Sequence, residues 1–251
     1  MIKVSHAGLL GYDDNAQTAD GSSVAVSALS DSSSTITVVR YSKSYAASDL
    51  ARMTAGGIVN VQAFAEDAVQ TQANRMTDVI CDLIDGYTAA GGTTGVDLDV
   101  ADVVAALATM EVANMTGPFM GVLHGQQFGD LQGDIATSLS GALQFQAATA
   151  DLVGLRGEAF KGSWLGVDWF VSNRVNSDGT DRKGGIFGPG AVVWADGMVP
   201  VEDPSQQMSI GGKILFERAR TAAAGTTAWV QHAYFGASIG IQNGLTLGSD
   251  A

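Results

Sequence analysis

The strongest pattern in the chain is helical. Across residues 58–85, Val61, Phe64, Ala65, Ala68, Val69, Met76, Val79, Ile80, Leu83 and Ile84 recur at three- and four-residue spacing, the period of a helix with one apolar face. At 1.5 Å per residue such a helix spans roughly 40 Å. Gly86 and then Gly91 and Gly92 are the stop signal. A helix of this length predicts a spine on which other elements pack.

The stretch before it alternates with period two. Residues 22–49 read SSVAVSALSDSSSTITVVRYSKSYAASD, two alternating runs around the polar knot SDSSS, and this pattern predicts a hairpin. Val24 and Val26 share a face with Ala28. Ile36 and Val38 share one with Arg40, while Val39, Tyr41, Lys43 and Tyr45 share the other. These faces hold little apolar bulk, and an isolated two-stranded hairpin is marginal in water. The hairpin therefore lies on the body of its own chain or on another chain. Residues 1–20 show no sustained period and read as an arm.

Downstream, Asp97 or Asp99 can cap a helix whose apolar face is Val103, Val104, Leu107 and Met110. A short strand from Phe119 to His124 leads into a further helix, and LQFQAATADL is another short helix candidate. From Trp164 onward the chain turns to strands: WLGVDWFVSNRV, AVVWADGMVPVED and KILFERARTAAAGTTAWVQHAYFGASI. Strands, then helices, then strands predict an α+β fold rather than a doubly wound sheet.

Composition narrows the function. The 251 residues suffice for a sizeable core. The 26 acidic residues exceed the 13 basic ones, for a formal charge of -13. No basic cluster offsets this, so a nucleic-acid reader is not expected. MIKVSHAGLLGYDD lacks the apolar core of a secretory signal. No run approaches the ~18 apolar residues of a membrane span, so the expectation is a soluble protein made in the cytoplasm, with no membrane partner. The single cysteine, Cys81, sits in the helical run VICDLI and reads as a buried, inert thiol.

Candidate chemistry is thin. GASIG, from Gly236 to Gly240, matches the G-x-S-x-G elbow around Ser238, but that elbow needs a helix after it and a histidine downstream. Eleven residues follow Gly240, and none is histidine. His6, His124 and His232 share no ligand spacing. The acids of Asp97 to Asp102 and Asn176 to Asp181 read as caps and turns, since neither completes a calcium loop. GGTTG and GPG lack the ending of a phosphate loop, and Asn114 fits a glycosylation acceptor by pattern only. No catalytic residue, cofactor or metal is expected.

The order of these pieces resembles the major capsid proteins of tailed phages, which have the Hong Kong 97-type fold. ALATMEVANMTGPFMGVLHGQQFGDLQ, GSWLGVDWFVSNRV and GGIFGPGAVVWADGMVPVED followed by KILFERARTAAAGTTAWVQHAYFGASI carry the likeness, over most of residues 20–245. The resemblance implies an N-terminal arm at 1–20 and an extended hairpin loop at 21–50, lying over a neighbouring subunit. It implies a peripheral domain at 51–94 and 191–225, and an axial domain at 95–190 and 226–251. It also implies a subunit that assembles with itself into hexamers and pentamers of an icosahedral head. That head encloses double-stranded DNA without sequence-specific binding, with a portal and scaffolding or decoration proteins as further partners. The location implied is the virion.

The interface residues expected on this basis are Val24, Val26, Ile36, Val38, Arg40, Tyr41, Lys43, Tyr45, Glu66, Asp67, Gln206 and Gln207. Arg40 and Lys43 would pair with Glu66 or Asp67 of the neighbour's spine helix. Residues 203–211, DPSQQMSIG, would form a loop near the threefold contacts. Lys43 is also a conceivable donor for the lysine–asparagine crosslink that some members make, with no partner asparagine identifiable. The rivals are an encapsulin-like nanocompartment shell, which shares the fold, and a small hydrolase using Ser238. The long helix argues against a β-dominated tail-tube or decoration protein.

Overall fold

A computed structural model describes residues 2–7, 31–54, 61–137, 146–198 and 201–250. In chain order the elements are β1 (Ile2–Ala7), β2 (Asp31–Ile36), β3 (Val39–Ser48), α1 (Asp49–Thr54), α2 (Val61–Ile84), β4 (Ala89–Gly91), α3 (Val100–Val112), β5 (Phe119–Leu123), α4 (Gly125–Thr137), β6 (Gln146–Ala147), α5 (Ala150–Arg156), β7 (Phe160–Trp164), β8 (Val167–Val171), β9 (Asp181–Phe187), β10 (Val192–Gly197), β11 (Gln207–Ile210), β12 (Ile214–Thr221), β13 (Thr226–Ile239) and β14 (Gly244–Asp250).

The strands form three sheets. A five-stranded sheet is built around β13. β3 pairs along one edge over Thr226 to Phe235, and β12 and then β10 share the other, with β11 outside β12. A seven-stranded mixed sheet has the order β4-β14-β9-β5-β8-β7-β6. β1 and β2 make a separate two-stranded ribbon, Ile2 opposite Ile36 and Ala7 opposite Asp31.

The spine helix forms as its periodicity predicts. The 24 residues of α2 run about 36 Å and pack on β13 and β3 of the smaller sheet and on β9 and β14 of the larger. It stops where the Gly86 N–H donates to Leu83 O at 2.9 Å. Asp99, one of the two expected caps, holds the start of α3, its carboxylate accepting from Asp102 N at 2.7 Å. The buried face of α3 is Val103, Ala106 and Met110. Val104, expected on that face, is 48% exposed, because it lies one residue, about 100° around the helix, from Val103.

The main core lies between α3, α4 and the seven-stranded sheet: Leu98, Val103, Met110, Leu123, Leu131, Trp169, Ile186, Leu245 and Leu247 are all buried. Trp169 stands directly opposite Gly121 in the β5–β8 ladder. A Cβ on Gly121 would lie within the indole, so glycine is what admits the ring. The run from Trp164, read from sequence as one strand, is in fact split into β7 and β8. Leu165 (φ 51°) and Gly166 (φ 76°) form a two-residue turn with positive φ at both positions, the twist that a tight hairpin needs.

The chain passes between the larger sheets at residues 188–191 and again at 240–243, and these crossings are tied together. Gly188 N donates to Asn243 O at 2.8 Å and Gly240 N to Ala191 O at 3.0 Å. The buried Asn243 side chain accepts from Thr116 N and donates to Thr116 O and Pro189 O, all at 2.9–3.0 Å.

Two expectations about organisation need correction. Residues 2–7, assigned to an arm, are strand β1; residues 8–20 lie outside the described set. β2 pairs with β1 in a full antiparallel register; the run at 22–29, expected as its hairpin partner, lies outside the described residues. Residues 226–239, grouped with the axial region, belong to the five-stranded sheet, and only β14 returns to the larger one. The fourteen residues of β13 can hold the whole of β3, β12 and β10, which fixes their place.

Candidate assembly surface

The ribbon leaves the body at one point. Ser34 Oγ donates to Ile239 O at 3.0 Å and Gly240 O at 3.1 Å, and Ile36 is fully buried beside Gly236. Beyond Ser34, toward Asp31, β2 runs past the end of β13. Ile36 is therefore the ribbon's root within its own chain and not a contact for another. Val24 and Val26 lie outside the described residues.

β3 carries the other expected contacts, and most of them stay within the chain. Lys43 Nζ donates to Asp67 Oδ2 at 2.6 Å and Thr71 Oγ1 at 3.0 Å. Tyr45 donates to the same Asp67 oxygen at 2.7 Å, and its ring meets Phe64 edge-on at 4.6 Å. Tyr41 stacks on Phe235 at 4.4 Å, with the Arg75 guanidinium 5.0 Å from its ring centre. Lys43 and Asp67, expected to meet across subunits, lie face to face within one copy, because β3 pairs with β13. Hydrogen bonding from Lys43 and then Tyr45 holds the Asp67 carboxyl below its ordinary range, and Asp67 in turn raises the Lys43 ammonium. Arg40 is exposed and opposite Tyr234; Val38 is half-buried and Glu66 is exposed.

Both members of the Lys43–Asp67 pair face solvent, the carboxylate half exposed, so the pair contributes little. Lys43→Met is expected to leave the urea midpoint almost unchanged.

Gln206 and Gln207 enter the site differently. Gln207 Oε1 accepts from Glu202 N and Asp203 N, and its Nε2 donates to Glu217 Oε1 at 2.6 Å. Glu217 Oε2 faces His232 Nε2 at 3.2 Å, and His232 Nδ1 lies 2.7 Å from Ser42 Oγ. A polar chain therefore crosses β3, β13, β12 and β11 and fastens the 202–207 loop. Sequence reasoning missed His232; the alternation of β13 carried its face, but its partners lie on three other strands.

On the opposite face, the start of α2, the 204–208 loop and β12–β13 enclose an apolar groove of about 220 Å³. Phe64, Pro204, Gln206, Met208, Phe216 and Trp229 line it, with Arg218 at its rim.

The other candidates are accounted for. Ser238 lies within β13 opposite Val193, and the chain continues through a turn into β14 rather than a helix, so GASIG is a strand end. Cys81 is buried and its thiol is pushed up to about 11, chiefly by desolvation, as the inert reading expects. His124 is lowered by desolvation and then Arg182. The acids of 176–181 build a turn: Asp178 accepts from Thr180 N and Asp181 N, Asp181 from Gly95 N, and Lys183 bridges both. Among the described residues no group of three or more histidine, cysteine or acidic side chains is arranged for a metal ion, and no helix is long and apolar enough to cross a membrane.

That turn gives a pH dependence. Backbone N–H groups and then Lys183 hold the Asp178 carboxyl far below its ordinary value of 3.8, and the Gly95 N–H and then Lys183 lower Asp181. Depressed carboxyls contribute stability that is full above that value and is lost as pH falls through the folded-state values. Melting temperature is expected to fall steeply below about pH 4, and less steeply in Asp178→Asn.

No protein-family model matches the chain, and no curated protein matches it. Solved structures do. A chain from Mycobacterium phage Che8 superposes with a TM-score of 0.65 at 17% identity, over 98% of this chain and 83% of that one. The acidic stable capsid structure of Helicobacter pylori bacteriophage KHP30 gives 0.65 at 12% identity, over 100% and 84%. The holo-SrpI encapsulin complex of Synechococcus elongatus gives 0.63 at 11%, over 87% and 75%. At such identities the likeness is one of fold alone. The chain has the Hong Kong 97-type capsid fold.

Proposed function

We propose that this chain is the major capsid protein of a tailed phage, a structural subunit that assembles with itself into the hexamers and pentamers of an icosahedral head around double-stranded DNA. The observation that carries the reading is the ribbon. A two-stranded sheet is marginal alone, and among the described residues β1–β2 is tied to the body through Ser34 and Ile36 before passing the end of β13. A neighbouring subunit supplies the surface it lacks. In this reading the extended loop is residues 2–36. The five-stranded sheet with α2 is the peripheral domain, and the seven-stranded sheet with α3 and α4 is the axial domain. The fastened 202–207 loop, with Gln206 and Gln207, is a contact between capsomers, and Arg40 and Glu66 stay as exposed candidates for pairing across subunits.

The charge of -13 suits a wall that encloses a polyanion without gripping it. A portal and scaffolding or decoration proteins are the remaining partners, the virion is the location, and the role is non-enzymatic. The likeness to an encapsulin supports a second reading, a shell around protein cargo. Particles purified after nuclease treatment separate the two: the phage reading expects protected DNA of one length, and protected enzyme without DNA would replace it with the encapsulin reading.

A further inference from the structure

We propose that His124 is a pH-sensitive latch at the start of α4: the neutral ring closes a capping box, and protonation opens it. The latch belongs to the subunit itself and holds whether or not the subunit assembles. The helix begins at Gly125, and His124 is its N-cap, since Phe128 N donates to His124 O at 3.0 Å. The half-buried imidazole takes the place of the serine or threonine hydroxyl usual in such a box. Its Nδ1 accepts from Gln126 N at 3.3 Å, and His124 N donates back to Gln127 Oε1 at 3.1 Å. Accepting from Gln126 requires a free lone pair on Nδ1, so the neutral ring carries its proton on Nε2. Gln127 joins the box to the core. It is fully buried, and its Nε2 lies 2.9–3.2 Å from Arg182 O, Leu247 O and Ser249 Oγ. β5, α4, β9 and β14 therefore meet at this box.

Protonation works against every part of this arrangement. A second ring proton turns Nδ1 from acceptor into donor and sets two N–H groups against each other. It also places a positive charge at the positive end of the helix macrodipole. The surroundings offer no compensation. From β9 the charge that acts on the ring is Arg182, of the same sign. α4 brings the uncharged Gln126 and Gln127, and the end of β8 brings Val171 and Ser172. Arg174, just beyond, pairs with Asp78 of α2. Desolvation and then Arg182 hold the ring below its ordinary value of 6.5. A histidine lowered in this way binds its proton more readily in the unfolded chain. Its stabilising contribution is full above 6.5 and is lost as pH falls through that value toward the folded-state one. This window lies above that of the Asp178 turn.

Thermal melts of the full chain test the latch by comparing the native protein with His124→Asn, whose amide oxygen also caps a helix but does not titrate. All other titrating groups are common to both. Between about pH 7.5 and pH 5 the native protein is expected to lose about 2–4 °C more in melting temperature than the variant. An equal loss in both would overturn the latch. Should the variant fail to fold, nitrogen-15 NMR of the native His124 ring decides. The expected result is a ring with its proton on Nε2 and a titration midpoint below 6.5. A proton on Nδ1, or a midpoint at or above that value, would overturn the latch.

Discussion

Trp169→Ala is expected to lower the unfolding free energy by about 3–5 kcal/mol, a large share of the ~5–15 kcal/mol that domains possess. The ring is fully buried within the main cluster, where Leu123, Ile186, Leu245 and Leu247 share its environment, and its N–H donates to Trp164 O at 3.4 Å. It also fills the space that Gly121 leaves open on the next strand. Removing the indole empties both the core and that gap, and neither closes easily, because β5 and β8 are central strands of the larger sheet. Urea denaturation followed by fluorescence measures the loss. A change below about 1 kcal/mol would mean that the core is not packed as described.

Replacing residues 8–30 by a two-residue Asn-Gly turn is expected to abolish closed particles while leaving the melting curve of the free subunit almost unchanged. Ala7 and Asp31 face each other in register, so a tight turn joins β1 to β2 without strain. The root at Ser34 and Ile36 and both larger sheets are untouched. Far-ultraviolet circular dichroism and melting establish the fold, and light scattering reads assembly. Native-sized particles from this variant would show that the ribbon tip is not an assembly element.

What could be read from the sequence was what neighbouring residues decide. The spine helix follows from the spacing of Phe64, Ala68, Val79 and Ile84, the cap from Asp99, and the inert thiol from the helical setting of Cys81. What escaped depends on distant partners. The alternation at 22–29 is locally as good a strand as residues 2–7, and only the three-dimensional register shows β2 pairing with the latter. The turn at Leu165 and Gly166 lacks the asparagine or aspartate that usually marks positive φ at the first turn position. Lys43 and Asp67 are complementary in any copy; that they meet within one chain follows from β3 lying beside β13. Asn243, with three side-chain bonds at the crossing between sheets, has no signal in the local pattern.

The central claim is that this chain builds a shell, and electron microscopy of the purified full chain tests it most directly. The account predicts closed particles of uniform diameter, with the two-sheet subunit repeated around fivefold and sixfold centres. A monodisperse 25.8 kDa monomer under every assembly condition, including co-expression with a scaffolding protein, would contradict it.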